Sequence, residues 1–98
     1  MANAGTPSAE FVVILYMADW CLDSVLARNA LKRAGIPFVE VDIDTEPGGK
    51  DAVRAVANGN CRVPVAVLQG SGAQTQVLIE PSMRELVEAA KAFMQFTE

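Results

Sequence analysis

Residues 11–43 carry the pattern that decides the fold, and they read FVVILYMADWCLDSVLARNALKRAGIPFVEVDI. The apolar run Phe11–Tyr16 predicts a strand that is buried on both faces, as in a parallel sheet. Good helix formers follow from about Cys21 to Ala34, and Gly35 ends that helix. Phe38–Ile43 alternates apolar and polar residues and predicts a second strand. A strand, a helix and a second strand in this order indicate two parallel strands joined by a right-handed crossover.

The next part of the chain predicts one more helix and a hairpin. Asp44 or Thr45 is expected to cap a helix that has Pro47 in its first turn and that Asn58-Gly59 ends. Val63–Leu68 and Gln76–Ile79 are predicted strands, and the glycine-containing turn between them allows the two to pair as a hairpin.

The last predicted helix has the clearest sequence signature. Ser82 and Glu85 form a capping box, in which each side chain accepts a hydrogen bond from the backbone N–H of the other residue. The element order is therefore βαβ-α-ββα, which predicts an α/β fold with a mixed four-stranded sheet flanked by three helices. The apolar face of the last helix follows at helical spacing and consists of Met83, Leu86, Val87, Ala90, Phe93 and Met94.

Length and composition are those of one folded domain. The chain has 98 residues, of which 51% are hydrophobic and 20% are charged, and this is enough apolar side chain for a single core. We expect a flexible tail over residues 1–9 and a single domain over residues 10–98. The net charge is −4 and the eight Lys and Arg residues are not clustered, which disfavours a nucleic-acid partner.

The N-terminal residues, the lengths of the apolar runs and the cysteine count indicate the cellular compartment in which the protein is expected. The first residues have neither the basic nor the apolar segment of a signal peptide, and no apolar run reaches the about 18 residues of a membrane span. We therefore expect a cytoplasmic protein without a membrane partner, in which cysteines are more often catalytic or metal-binding than structural. The chain has two cysteines and no histidine, which excludes a Cys–His hydrolase and a Cys2His2 zinc site.

Cys21 is the first candidate for chemistry. It lies where the first predicted strand ends and the first predicted helix begins, and α/β sheets place their sites at such strand ends. The free N–H groups and the dipole of a helix start favour a thiolate, which is the nucleophile of thiol–disulfide exchange. Ser24 follows one turn later, and its hydroxyl could donate a hydrogen bond to the Cys21 sulfur. On position alone, Cys21 could equally be a small buried apolar residue, whereas the aromatic Trp20 before it favours a shaped surface.

Several segments of the chain resemble glutaredoxins. Residues Trp20–Ser24, WCLDS, resemble the W-C-x-x-C/S active-site motif, and Glu40–Ile43 resembles the end of the second strand of that family. Residues 58–64, NGNCRVP, resemble the N-G-x-x-T-V-P stretch before the third strand. Pro81-Ser82 opens the last helix as in the mycoredoxin group. The resemblance covers residues 11 to about 95 in the family's order and implies the thioredoxin fold.

The resemblance implies a thiol–disulfide oxidoreductase with Cys21 as its catalytic thiol. In that family the proline that matches Pro64 is cis and faces the active cysteine. Val63 is then implied to offer its backbone N–H and C=O to an extended substrate, and Trp20 and Arg62 to line the same substrate site. From the residues alone, Pro64 could also be an ordinary strand-entry proline, and Arg62 a solvated loop charge.

The motif itself departs from the family pattern. Because Ser24 stands in the place of the second cysteine, only a monothiol route is open within the motif. In that route Cys21 takes the small thiol from a protein mixed disulfide, and a second small thiol releases it. Asp19 and Asp23 flank Cys21 and oppose its ionisation. Arg62 replaces the family's threonine, where it could restore some positive potential or hold a substrate carboxylate.

Cys61 is the second cysteine of the chain and lies three residues before Pro64. It could act as a resolving thiol that forms a disulfide with Cys21, which requires Cα atoms within about 7 Å. It could also be a passive loop residue.

The expected partners follow from the resemblance. We expect no metal and no tightly bound cofactor, but a low-molecular-weight thiol as co-substrate, S-thiolated proteins as substrates, and a monomeric state. The family's Gly-Gly signature for glutathione is absent, and residues 78–82 read LIEPS instead. The resemblance to mycoredoxins implies mycothiol rather than glutathione. Two alternatives stay open, namely iron–sulfur cluster binding or delivery, and a non-catalytic binding module of thioredoxin fold.

Overall fold

A computed structural model describes residues 11–70 and 75–96 of the chain. The predicted tail over residues 1–9 and most of the predicted turn at 70–72 lie outside the described residues. Within the described ranges the elements in chain order are β1 (Val12–Met17), α1 (Leu22–Arg33), β2 (Val39–Asp42), α2 (Gly49–Val56), β3 (Val65–Gln69), β4 (Thr75–Ile79) and α3 (Met83–Phe96).

The described strands form one mixed sheet in the order β2-β1-β3-β4. β1 pairs with β2 in parallel, and β3 is antiparallel to both β1 and β4, so the predicted α/β architecture and hairpin are confirmed. Met17 pairs with Asp42 and Tyr16 pairs with Val65. This register brings the loops that follow β1 and β2 and the loop that precedes β3 to one end of the sheet, which we call the β1 carboxyl end.

The central strand β1 separates two apolar cores. Val13, Leu15 and Met17 are fully buried and belong to a core that includes residues of α1 and α3. Ile14 and Tyr16 point to the opposite face, where they pack as partly buried residues against a second core that includes α2. The side chains of β1 are thus fully buried on one face and only partly buried on the other. Two helices cover the first face, and a single short helix covers the second.

The start of α2 differs from the prediction. The helix begins at Gly49, and its N-cap residue is Gly48 rather than Asp44 or Thr45. Gly48 has a positive φ of 79°, which residues with a side chain rarely adopt. Gly49 is buried, and a Cβ there would lie 3.0 Å from the backbone Cα of Ile43. The chain must therefore complete a tight turn against the end of β2 before the helix can begin.

The capping box of α3 is confirmed. The Ser82 N–H donates to Glu85 Oε1 at 2.8 Å, and the Glu85 N–H donates to Ser82 Oγ at 3.1 Å. Leu86 and Ala90 are fully buried, whereas both methionines of the predicted apolar face are exposed. The buried part of that face is consequently narrower than the sequence pattern indicates.

Candidate active site

Cys21 is the N-cap residue of α1, as the sequence predicts. It has an extended backbone with φ −95° and ψ 114°. Its N–H donates to the carbonyl of Ala18 at 3.1 Å, and its carbonyl accepts from the N–H of Val25 at 3.1 Å. A turn on one side and the first helical hydrogen bond on the other therefore hold the half-buried Cys21 at the β1 carboxyl end.

The thiol faces the segment that enters β3. Cys21 Sγ donates a hydrogen bond to the carbonyl oxygen of Val63, with a sulfur–oxygen distance of 3.7 Å. The Val63-Pro64 peptide bond is cis, as the resemblance implies. The Pro64 carbonyl accepts a hydrogen bond from the N–H of Glu80 at 2.8 Å, which ties this segment to the end of β4. Pro64 thus directly follows the residue that the thiol contacts and directly precedes β3.

Ser24 has a different partner from the one expected. Its side chain is fully buried, and Oγ accepts a hydrogen bond from the N–H of Ala18 at 3.3 Å. The expected donation to the Cys21 sulfur is not the contact found, because Ser24 faces the loop that follows β1. The hydroxyl therefore fixes the backbone just before the thiol rather than the thiol itself.

Two large apolar side chains next to Cys21 are exposed. Trp20 is 73% exposed and Leu22 is 69% exposed. The indole Nε1–H of Trp20 donates to Asp44 Oδ2 at 2.7 Å, and Asp44 Oδ1 lies 3.8 Å from Lys50 Nζ. The indole is therefore held in place over the surface without being buried, which supports the expected shaped surface beside the thiol.

Arg28 supplies positive charge near the motif. Its Nη1 lies 3.7 Å from Asp19 Oδ1 and 3.0 Å from Glu40 Oε2. The sequence motif contains no basic residue that could offset Asp19, but the second turn of α1 brings Arg28 beside it. Asp23 takes part in no ion pair among residues 11–70 and 75–96.

Arg62 is paired with an acidic residue. Its Nε lies 3.2 Å from Glu80 Oε2, and both side chains are about half exposed. Glu80 follows β4 with a positive φ of 51°. The positive potential expected from Arg62 is therefore largely compensated by this neighbour, although the guanidinium stays accessible from solvent.

Both cysteines are free, and Cys61 is exposed. Cys61 lies in the loop that leads to Val63, and the structure holds no disulfide between Cys61 and Cys21. The two alternatives for Cys61, a resolving thiol and a passive loop residue, both stay predictions.

Sequence reasoning missed three charged residues of this site, namely Arg28, Asp44 and Glu80. The sequence could have predicted that Asp44 lies near the site, because Asp44 follows the second predicted strand. The carboxyl ends of adjacent parallel strands lie at the same edge of a sheet. No local pattern indicates Arg28 or Glu80, since each reaches its partner across the tertiary structure.

Among residues 11–70 and 75–96, no group of three or more Cys, Asp or Glu side chains is placed to hold a metal ion. None of the helices there is both long and apolar enough to cross a bilayer.

Solved structures of similar shape include several thioredoxins. A mutant thioredoxin from Halobacterium salinarum is 17% identical with a TM-score of 0.64, and the match covers 91% of this chain and 76% of that one. A thioredoxin from Malassezia sympodialis is 21% identical with a TM-score of 0.65, covering 87% and 78% of the two chains. A glutathione transferase Omega 2S from Trametes versicolor is 17% identical with a TM-score of 0.56, covering 87% of this chain and 37% of that one. These similarities confirm the thioredoxin fold.

The sequence comparisons are more specific. No curated protein matches the chain. The family model named Glutaredoxin matches residues 13–72, a range that includes Cys21 and Val63-Pro64. Because this match spans more than half of the chain, the chain belongs to the glutaredoxin family and has the thiol–disulfide oxidoreductase type of function.

Proposed function

We propose that this protein reduces mixed disulfides between proteins and a small thiol by a monothiol route, with Cys21 as the nucleophile. The observation that carries the proposal is the position of Cys21 Sγ, at the start of α1 and 3.7 Å from the Val63 carbonyl oxygen. The thiol is half-buried and beside the exposed indole of Trp20. A substrate disulfide can therefore approach it from solvent.

The reaction has two exchange steps. In the first, the Cys21 thiolate attacks the small-thiol sulfur of the mixed disulfide, and the protein substrate leaves as a thiolate that takes a proton. In the second, the thiolate of another small-thiol molecule attacks the small-thiol sulfur now bound to Cys21. This releases Cys21 and forms the disulfide of two small thiols, so one free small thiol is consumed for each protein thiol that is released.

The residues around Cys21 support a monothiol route. Ser24 holds the loop through Ala18 and cannot form a disulfide. Cys21 Sγ contacts the main chain of Val63, and we assign to that main chain the binding of an extended substrate segment. Trp20 and Arg62 are assigned to the same substrate surface.

For the small thiol we propose mycothiol rather than glutathione, in line with the resemblance to mycoredoxins. Glutathione carries two carboxylates, and an arginine or lysine free to pair with them would favour it. Arg62, the base next to Val63, is already paired with Glu80 at 3.2 Å. This arrangement favours a small thiol without carboxylates. We also propose that the protein is cytoplasmic and monomeric. Cell fractionation tests the location, and analytical ultracentrifugation tests the monomeric state.

The test is a turnover assay with a protein–mycothiol and a protein–glutathione mixed disulfide. We expect the wild-type protein to reduce the mycothiol adduct faster, and Cys21→Ser to abolish turnover of both. Cys61→Ser is the matched control, because it removes the other thiol, and we expect it to retain activity. Turnover that survives in Cys21→Ser would contradict the proposal. A reactive Cys21 with no turnover of either substrate would favour a non-catalytic binding module.

A further inference from the structure

The surface around Cys21 combines apolar side chains with carboxylates. Four exposed residues directly precede or follow the thiol, and we call them the thiol rim: Asp19, Trp20, Leu22 and Asp23. Large aromatic side chains that stay exposed on a folded domain are typical of protein-binding surfaces. The indole is held by its hydrogen bond to Asp44 at 2.7 Å, so it is ordered before any partner binds. Such preorganisation lowers the entropic cost of binding.

The negative charge of the thiol rim is not fully compensated. Asp19 and Glu40 share the single guanidinium of Arg28, which leaves one carboxylate of this group in excess. Asp23 takes part in no ion pair within the described ranges. The rim and its immediate neighbours therefore carry about two uncompensated negative charges on the surface that a substrate must approach.

The other bases at the β1 carboxyl end do not change this balance. Lys50 lies 3.8 Å from Asp44 and Arg62 lies 3.2 Å from Glu80. Each of these cations is matched by one carboxylate, so neither offsets the excess at the thiol rim.

We infer that the protein substrates of this site present their cysteine in an extended segment that carries basic residues and an apolar residue next to the cysteine. This inference rests on the proposed function, because it concerns the partner of the same thiol. The apolar residue packs on Trp20 and Leu22, and the basic residues lie against Asp19 and Asp23. Charge complementarity of this kind mainly raises the association rate, and salt screens it.

The first test uses peptides in place of the unidentified substrates. Each peptide has one cysteine between two leucines, flanked by Lys, Ser or Glu residues, and is disulfide-bonded to 2-mercaptoethanol, which is uncharged. The release of peptide thiol is measured by chromatography with 2-mercaptoethanol as the recycling thiol and with Cys21→Ser as the uncatalysed background. We expect kcat/KM for the Lys peptide to exceed that for the Glu peptide about tenfold at low ionic strength, and the ratio to fall towards one in high salt. Equal rates, or a faster Glu peptide, would overturn the inference while leaving the proposed function intact.

Two variants locate the source of this preference. Asp23→Asn removes one uncompensated carboxylate of the thiol rim, and we expect it to lower the Lys-to-Glu ratio by about two- to threefold at low ionic strength. Glu88→Gln is the matched control, because Glu88 is an exposed carboxylate on α3 that belongs to neither the thiol rim nor the thiol site. An equal fall of the ratio in both variants would show that the net charge of the molecule, and not the rim, sets the preference.

A binding measurement separates this inference from the proposed function. Trp20 is the only tryptophan of the chain, so intrinsic fluorescence reports on the thiol rim directly. Cys21→Ser is titrated with the same peptides after their cysteine is replaced by serine, so that no exchange can occur. Tighter binding of the Lys peptide, with a change in Trp20 emission, supports the inference even if wild-type turnover is absent. Binding without a charge preference counts against it even if turnover is fast.

Discussion

At the scale of single residues, the contacts of Cys21 and its neighbours explain how the thiol is presented. The Cys21 sulfur contacts the Val63 carbonyl. The Trp20 indole is exposed, and its hydrogen bond to Asp44 fixes its position. Ser24 is the buried polar side chain beneath them, and it holds the N–H of Ala18. A serine in the motif therefore does more than remove the second thiol, because it satisfies a backbone group that would otherwise have no partner.

The structural role of Ser24 predicts a loss of stability. Replacing Ser24 by Ala leaves the N–H of Ala18 without an acceptor in a buried place, and we expect a cost of about 1–3 kcal/mol in the free energy of unfolding. Chemical denaturation measures it. The control is Asn29→Ala, an exposed position of the same helix, for which we expect a change within about 0.5 kcal/mol. A Ser24→Ala protein as stable as the wild type would contradict this role.

At the scale of elements, the ends of the helices decide where the loops of the site lie. α1 begins at the thiol, α2 begins only after a tight double-glycine turn, and α3 begins at a capping box beside Glu80. The first N–H groups of a helix have no partner within the helix. At α3 the Ser82 side chain accepts a hydrogen bond from one of them. A change at Ser82 should therefore act through the start of α3, whereas a side chain at Gly49 would meet the end of β2.

The cap of α3 makes a prediction of moderate size. Ser82→Ala removes the acceptor of the Glu85 N–H, and we expect it to cost about 1 kcal/mol in the free energy of unfolding. Ser82→Asp keeps an N-cap acceptor and serves as the control, with a stability close to that of the wild type. Thermal unfolding of both variants measures the difference. Equal losses in the two variants would show that the cap does not stabilise α3.

The turn before α2 makes a second prediction at this scale. In Gly49→Ala the new Cβ meets the backbone Cα of Ile43 at 3.0 Å. Backbone cannot yield as a side chain can, so we expect a loss of about 1–3 kcal/mol. Lys50→Ala alters the next, exposed residue and should change stability by less than about 0.5 kcal/mol. Denaturant midpoints of the two variants, compared with the wild type, provide the measurement, and a stable Gly49→Ala would rule out the close approach.

At the scale of the whole molecule, β1 joins the two cores and carries the site at its carboxyl end. Leu15 is fully buried in the core that includes residues of α1 and α3, and Ile14 packs in the core that includes residues of α2. The register of β1 with its two neighbours brings Val63 to the thiol and Asp44 to the adjacent Trp20. The geometry of the site is therefore a property of the packed sheet rather than of any single loop.

This dependence predicts that a core substitution destabilises the whole domain. Leu15→Ala should cost about 2–5 kcal/mol, since it removes buried methyl and methylene groups and leaves a cavity. Leu22→Ala makes the same chemical change at a side chain that is 69% exposed, and we expect less than about 0.5 kcal/mol. Denaturation curves followed by circular dichroism compare the two. Similar losses at both positions would mean that burial does not determine the effect.

Local sequence patterns were enough to predict the element types, their order and the candidate thiol. The run Phe11–Tyr16, the cysteine at the predicted helix start and the Ser82–Glu85 box are local signals, because strand burial, helix capping and helix periodicity depend on residues close in the chain. Family resemblance added the pairing of Cys21 with Val63-Pro64.

Tertiary structure alone decided the partners of the polar groups and the charge balance of the site. Ser24 bonds to Ala18 rather than to the sulfur, Arg28 reaches Asp19, and Glu80 neutralises Arg62. The late start of α2 belongs here too, since it follows from a close approach to the end of β2. Each of these contacts depends on the angle at which helices and strands pack. Sequence spacing cannot specify that angle, because it is the result of filling the two cores on either side of the sheet.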